Sequence, residues 1–420
     1  MTQLEAAKKN IITDEMRLAA KHDEIDVQLL LDNIKNGLVV LPKNINHNFT
    51  QIRGIGKNLS TKINANIGTS GDLIDKNIEL EKLIIAQEAG ADSIMDLSTG
   101  GNLLEIRSLI LENTNVMLGA VPIYSYAKEL LDRGQKFSVL NPEELLKSIE
   151  KECENGLDYI TVHCGLTLES LKILKYSKRL CDIVSRGGSI IANYMKTTKK
   201  QNPLYEYFDD LLKIAAKFDV TLSLGDSLRP GSIFDSTDDL QINELITLST
   251  LAKRAYEKNV QVMIEGPGHV PLNDIKLNIE LEKKLCNDAP FYVLGPLPTD
   301  AACPYDHIAS TVGASIAAAS GADFICYVTP AEHLGLPDKD DVYQGVVAAK
   351  IAAHIGDLSK GIKKAINRDM NMSKYRRDLN WEMMLETSLF SKDATLKHKE
   401  SASKACTMCG QLCVFKINKN

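Results

Sequence analysis

The sequence has little tryptophan, no long uncharged apolar run and no strong excess of charge of either sign. One tryptophan occurs among 420 residues, and aromatic residues make up 5% of the chain. No stretch of about 18 residues is apolar enough to span a bilayer, and MTQLEAAKKNIITDEM lacks the apolar core of a signal peptide. The net charge of −6 provides no field that would hold nucleic acid or an anionic membrane. We therefore expect a cytoplasmic protein that binds neither.

Cysteine, by contrast, is concentrated in one place. Three of the nine cysteines lie within eight residues near the C-terminus, and we refer to Cys406, Cys409 and Cys413 as the terminal motif. Thiols stay reduced in the cytosol, so a cluster of this kind indicates metal binding or catalysis before it indicates a disulfide.

The middle of the chain alternates short β-branched runs with amphipathic segments of helical length. This alternation predicts parallel strands joined by crossover helices. Nine candidate strands are present, which favours a (β/α)8 barrel with one surplus segment over a doubly wound sheet of five or six strands. We expect an N-terminal region at 1–60, the barrel at 61–360 and a helical extension carrying the terminal motif at 361–420. The candidate strands are 62–68, 92–98, 116–124, 159–165, 182–189, 220–227, 260–266, 291–296 and 323–329.

Polar side chains are frequent where the candidate strands end. In a barrel these ends converge at the face that carries the chemistry. Any one of these residues could simply cap a helix or form a turn, but together they indicate a site. They are Asn66, Asp96, Tyr124, His163, Arg186, Asp226, Arg229, Glu265, His269, Tyr292 and His333.

Two of the strand-end segments favour a phosphorylated ligand. SRGGS at 185–189 combines hydroxyls, adjacent glycines and an arginine, which is typical of an anion site and equally compatible with a plain turn. GDSLRPGS at 225–232 adds a carboxylate and a second guanidinium, which would suit a ribose or an amine beside the phosphate.

Two histidines lie in stiff loops, in EGPGHVP at 265–271 and AEHLGLP at 331–337. Imidazole is a common ligand of zinc and ferrous iron, but two histidines alone leave a metal site incomplete. Either histidine could instead be structural, and His307 competes for the same role.

The spacing Cys-x2-Cys-x3-Cys can bring three thiolates together on one helix face, or in one concave loop if Gly410 breaks the helix. Three thiolates on a four-iron, four-sulfur cluster leave one iron open for S-adenosylmethionine. A structural zinc site would need a fourth ligand from elsewhere. A cluster, a zinc ion and incidental thiols all remain open from the spacing alone.

Over essentially its full length the chain resembles the phosphomethylpyrimidine synthase family of radical S-adenosylmethionine enzymes. The resemblance lies in TQLEAAKKNIITDEM, NANIG, MDLSTGG, VPIY, VSRGGS, EGPGHVP, APFYVLGP, YDHI, CYVTPAEHLGLP and the terminal motif. It implies a barrel enzyme that rearranges 5-aminoimidazole ribotide to 4-amino-5-hydroxymethyl-2-methylpyrimidine phosphate in thiamine biosynthesis. It also implies a homodimer and an external electron donor.

The resemblance assigns roles to individual residues. It implies that the terminal motif binds a 4Fe-4S cluster and that His269 and His333 bind a second metal, zinc or iron. The implied substrate contacts are Asn66, Met95, Tyr124, His163, Ser185, Arg186, Gly187, Asp226, Ser227, Leu228, Arg229, Glu265 and Tyr292.

The chain departs from the family pattern at three points. The second cysteine spacing is one residue shorter, Ser227 stands where the family has glycine or alanine, and Cys303-Pro304 lies in a loop that contains glycine in the family. Two alternatives follow. A related 5-hydroxybenzimidazole synthase of anaerobic cobalamin lower-ligand synthesis uses the same substrate, and a zinc-containing sugar-phosphate-binding barrel would lack radical chemistry.

Overall fold

The computed structural model of the chain describes residues 1–399 and 405–418. The chain forms two compact units, Met1–Gly356 and Asp357–Asn420. Residues 1–60 and the barrel belong to the first unit, and the terminal motif belongs to the second. Within the described residues, no helix combines the length and apolar character that a membrane span requires.

The N-terminal region contains three short helices and a two-stranded antiparallel sheet. Its helices are α1 Gln3–Lys8, α2 Asp14–Asp23 and α3 Val27–Lys35, and its strands are β1 Val39–Val40 and β2 Ile55–Gly56. Val39, Val40 and Leu41 are buried in the core.

Eight parallel strands close into a barrel, which confirms the predicted (β/α)8 fold. Strands β4 to β7 are buried along their whole length, as parallel strands with both faces covered must be. The last strand pairs with the first, and the order is otherwise that of the chain. The strands are β3 Lys62–Ile67, β4 Ser93–Asp96, β5 Met117–Ala120, β6 Tyr159–Val162, β7 Thr221–Leu224, β8 Val262–Gly266, β9 Phe291–Leu294 and β10 Phe324–Cys326.

The crossover helices and the longer loops follow the strands in turn. Most of these helices begin at a side chain that caps them, such as Asn102, Thr167 and Ser185. The helices are α4 Lys76–Ala89, α5 Leu103–Asn113, α6 Pro122–Asp132, α7 Pro142–Glu154, α8 Leu168–Leu174, α9 Arg186–Thr198, α10 Pro203–Glu206, α11 Phe208–Phe218, α12 Asp239–Glu257, α13 Ile275–Leu285, α14 Asp306–Ser320 and α15 Lys339–Ser359.

The surplus ninth candidate strand is the segment 182–189. It was predicted as a strand and forms none, because α9 begins within it at Arg186. The Ser185 hydroxyl accepts a hydrogen bond from the Gly188 amide at 3.1 Å, which caps this helix. Two adjacent glycines also weaken a strand, so the capped helix start is favoured. Arg186 and Gly187 therefore lie at a helix N-terminus and not at the end of a barrel strand.

The second unit continues with α16 Lys363–Asp378, α17 Trp381–Thr387 and α18 Ser391–Lys397, as the charge-rich helical segments predicted. Trp381 stacks on His398 with ring centroids 4.3 Å apart. The terminal motif follows in a series of turns and ends at α19 Val414–Ile417.

Candidate active site

A cavity opens at the carboxyl ends of the barrel strands. Each strand contributes inward side chains at its end, so residues far apart in sequence meet there. The cavity is lined by eight of the predicted substrate contacts, namely Asn66, Met95, Tyr124, His163, Asp226, Arg229, Glu265 and Tyr292.

Asp96 was placed in the same group of strand-end residues, but it does not reach this cavity. Its Oδ2 accepts a hydrogen bond from the Arg107 guanidinium at 3.1 Å, and Arg107 also pairs with Glu152 at 3.0 Å. All three side chains are buried, so Asp96 ties β4 to the surrounding helices.

Two carboxyl groups and one guanidinium form the charged wall of the cavity. Arg229 donates to Asp226 Oδ1 at 3.0 Å, while Glu265 Oε1 accepts from Thr161 at 2.7 Å and from Ser223 at 2.9 Å. Burial raises the pKa of Asp226 well above its ordinary range and also raises the pKa of Glu265, although Arg229 opposes both shifts. Asp226 Oδ2 is buried without a protein partner. The wall can therefore exchange hydrogen bonds with polar groups such as an amine or a hydroxyl.

The loop after β7 is held from behind by Glu244 on α12. The amides of Ser227 and Leu228 donate to its two carboxylate oxygens at 2.9 and 2.6 Å. Burial raises the pKa of Glu244 to about 7. These two amides therefore donate to Glu244 and are not available to a ligand. The contact also holds the turn that carries Asp226 and Arg229. The Ser227 hydroxyl is buried and has no protein partner.

His163 contributes a neutral ring to the cavity. Burial, and secondarily the charge of Arg229, lower the pKa of His163 to about 3. Its Nδ1 is buried without a protein partner. Gly187 lies directly against the ring, since a Cβ at this position would be less than 3.0 Å from three of its atoms.

The N-terminus of α9 provides the positive end of the site. Ser185, Arg186 and Gly187 open this helix, and the unpaired amides of a helix start attract anions. The Arg186 guanidinium carbon lies 4.9 Å from the centroid of the Tyr124 ring, which borders the cavity. Burial raises the pKa of Tyr124, although Arg186 opposes the shift. Ser185, Arg186 and Gly187 do not themselves line the cavity, and they lie beside it next to Tyr124.

Cys326 also lines the cavity and was not among the predicted residues. Its Sγ accepts from Asn66 Nδ2 at 3.0 Å, and burial raises its pKa to about 11, so the thiol stays protonated. Strand alternation could have indicated Cys326 from the sequence, because side chains two residues apart share a face of a strand and Cys326 is the last residue of β10.

His269 and His333 lie side by side with ring centroids 5.3 Å apart, and we call them the histidine pair. His269 Nδ1 lies 2.8 Å from an oxygen of Asp300, and His333 Nδ1 lies 3.3 Å from an oxygen of Asp306. A carboxylate behind each imidazole is the arrangement that orients metal-binding histidines through Nε2. Among the described residues, no group of three or more His, Cys, Asp or Glu side chains converges on a metal position. The pair can therefore supply two ligands of a metal.

The terminal motif forms a loop and not a helix face. The Gly410 amide donates to the Cys406 carbonyl at 3.2 Å, and the Leu412 amide donates to the Cys409 carbonyl at 2.9 Å. Gly410 has φ near +53°, a conformation that glycine adopts without strain. The motif is therefore not a helix face, and in this loop the three thiols do not converge on one metal position.

The chain is similar to known proteins over nearly its whole length. The model of the Radical SAM ThiC family matches residues 2–420. A phosphomethylpyrimidine synthase of Thermoanaerobacter sp. (strain X514) is 52% identical over 421 residues, which cover 99% of this chain and 97% of the relative. A phosphomethylpyrimidine synthase of Clostridium kluyveri is 50% identical over an alignment that covers 100% of this chain and 96% of the relative. Phosphomethylpyrimidine synthase 1 of Methanosphaera stadtmanae is 50% identical over an alignment that covers 100% of this chain and 98% of the relative.

Proposed function

The chain belongs to the radical SAM ThiC family, and on this premise we propose that it converts 5-aminoimidazole ribotide to 4-amino-5-hydroxymethyl-2-methylpyrimidine phosphate. The observation that carries the proposal is the convergence of eight predicted substrate contacts on one cavity at the barrel mouth. The relatives with about half of their residues identical are phosphomethylpyrimidine synthases, which favours this product over 5-hydroxybenzimidazole.

The two ends of the cavity suit the two ends of the ribotide. The phosphate would bind at the start of α9, where Arg186 adds a charge-assisted contact. The aminoimidazole and ribose would face Asp226 and Glu265, whose oxygens accept from amine and hydroxyl donors. His163, held neutral by burial, can donate or accept a hydrogen bond without adding charge. Ser227 and Leu228 would act through the turn that they form.

The terminal motif fits a 4Fe-4S cluster by the chemistry of its donors. Three cysteines lie in one loop, and among the described residues neither they nor any other His, Cys, Asp or Glu side chains already converge on a metal position, so the three thiols would have to draw together when the cluster binds. When bound, the cluster supplies the electron that cleaves S-adenosylmethionine to start radical chemistry. The role of the chain in that chemistry is to hold the ribotide in one orientation while the barrel wall excludes water.

The histidine pair fits a second divalent metal, zinc or iron. Both Nδ1 atoms face carboxylates, so both Nε2 atoms are left for coordination. With two protein ligands, the ion would keep open positions for water or for a ligand. We further propose that the enzyme acts in the cytoplasm as a homodimer and receives electrons from a separate donor.

Anaerobic turnover tests the function. The reconstituted protein is incubated with ribotide, S-adenosylmethionine and a reductant, and the products are identified by mass. We expect the phosphorylated hydroxymethylpyrimidine and 5′-deoxyadenosine. A phosphate-free hydroxybenzimidazole as the main product would replace our proposal with the related activity.

A matched variant separates radical chemistry from a zinc-containing barrel. Cys409→Ser removes one donor of the terminal motif, whereas Cys181→Ser changes a cysteine outside the motif and serves as the control. Iron and sulfide should fall only in Cys409→Ser. Tightly bound zinc with negligible iron in the unaltered protein would contradict the radical reading.

A further inference from the structure

Asn64 lies inside the barrel, one layer below the cavity. Side chains two residues apart share a face of a strand, so Lys62, Asn64 and Asn66 form an inward polar row on β3. Lys62 is tied to Asp23 at 3.0 Å, and Asn66 lines the cavity. Asn64, between them, is completely buried.

The Asn64 amide group is the centre of a hydrogen-bonded network. Its Nδ2 donates to Asn66 Oδ1 at 2.7 Å and to the Tyr292 hydroxyl at 2.8 Å. Its Oδ1 accepts from the Tyr159 hydroxyl at 2.9 Å, and Tyr159 in turn lies 2.8 Å from the Ser93 hydroxyl. The Asn64 Nδ2 also lies 3.9 Å from Cys326 Sγ, so the amide contacts three of the residues that line the cavity and is itself fixed from below.

These bonds set the direction in which the two cavity residues can bind. Asn66 uses its oxygen towards Asn64, so its Nδ2 points away, to Cys326 Sγ at 3.0 Å. The Tyr292 oxygen accepts from Asn64, so its own proton is directed to another acceptor, and Cys326, which also lines the cavity, is the acceptor beside it. Both side chains therefore present donors, and a ligand at this wall must offer acceptors such as a ring nitrogen or a hydroxyl oxygen.

We propose that Asn64 is a positioning residue that turns Asn66 and Tyr292 into hydrogen-bond donors towards the bound substrate. The inference rests on the proposed function, since it takes the ribotide as the ligand. Asn64 does not itself line the cavity, so it acts through its two neighbours.

Asn64→Asp tests the proposal because a carboxylate keeps the shape of the amide but has no N–H to donate. Asn66 and Tyr292 should then donate to the new carboxylate instead of the ligand. We expect the affinity for 5-aminoimidazole ribotide to fall about ten- to a hundredfold, since each lost hydrogen bond costs roughly tenfold. Calorimetric titration of the full chain without S-adenosylmethionine measures binding independently of turnover.

Two comparisons separate positioning from a general loss of structure. Asn33→Asp makes the same change at a buried asparagine whose Nδ2 donates to the Lys57 carbonyl at 3.2 Å, outside the cavity, and should leave ribotide affinity unchanged. In an Asn66→Ala, Tyr292→Phe background, Asn64→Asp should weaken binding less than about twofold further, because the groups through which it acts are gone.

The outcomes that overturn the inference are distinct from failure of the proposed function. Unchanged affinity in Asn64→Asp overturns it, and so does an undiminished loss in the double-variant background. If the unaltered protein does not bind the ribotide, the proposed function fails, and a ligand-free crystal structure of Asn64→Asp decides the positioning role. Displacement of Asn66 or Tyr292 within an intact barrel would support the role, and unmoved side chains would overturn it.

Discussion

Gly187 offers a sharp test of the site because one added methyl group would meet the ring of His163. A Cβ built on Gly187 lies less than 3.0 Å from Cε1, Nδ1 and Nε2 of that ring, a distance that real Cβ atoms essentially never show. The ring is buried and belongs to the cavity wall, so it cannot swing into solvent. Gly187→Ala must therefore displace either His163 or the start of α9.

Two opposing effects decide the magnitude. Alanine is favoured over glycine within a helix by up to about 1 kcal/mol. Forcing a methyl group into a packed interior costs about 1–3 kcal/mol, so the net destabilisation should be at most about 3 kcal/mol and about 1 kcal/mol at mid-range. Because the displaced elements are the neutral imidazole and the phosphate end of the cavity, we also expect ribotide affinity to fall at least tenfold.

Denaturant unfolding measures the stability, and calorimetric titration measures the affinity. Gly71→Ala is the matched control, since a Cβ at Gly71 meets nothing within 4 Å. It should leave both quantities nearly unchanged. A Gly187→Ala protein as stable as the unaltered chain and with the same ribotide affinity would refute the packing argument.

Four further predictions follow from the site. Cys409→Ser should abolish 5′-deoxyadenosine formation in an anaerobic assay, and retained formation would remove the terminal motif from cluster binding. His333→Ala should lose one equivalent of metal by elemental analysis while the cluster iron stays, and unchanged metal content would make the histidine pair structural. Arg186→Ala should weaken ribotide binding by about 1.5–3 kcal/mol in calorimetry, because a charge-assisted contact is lost, and unaltered binding would place the phosphate elsewhere. Burial raises the pKa of Glu244 from 4.5 to about 7, and between these two values the unfolded chain loses the proton first, so the free energy of unfolding should fall as the pH rises through this window. Denaturant unfolding of Glu244→Gln should lack this part of the pH dependence, and identical pH profiles of the two proteins would contradict the shift.

Local sequence was enough to predict the barrel and all eight of its strands. The eight strands that form all fall within short runs predicted as strands, with helical segments between them, and this alternation is a property of the chain itself. The carboxyl ends of parallel strands must lie on one face, so strand-end residues such as Asp226 and Glu265 could be placed together before any contact was known. The same reasoning failed at 182–189, where β-branched residues before a glycine pair look like a strand until the Ser185 cap is seen.

Tertiary structure decided which polar residues face the cavity and how each is oriented. Asp96 ends a strand like its neighbours, yet Arg107 draws it away from the cavity. Asn64 looked like an ordinary strand residue, and its role emerged only when β9 brought Tyr292 to it from 228 positions away. Helical and strand periodicity can be read from local sequence. The partners of a side chain, by contrast, depend on which strands become neighbours in the folded barrel. The sequence alone therefore determined the barrel and the type of chemistry. Closure of the barrel decided which side chains are buried and hydrogen-bonded, and these contacts set the protonation and the orientation of each polar side chain in the cavity.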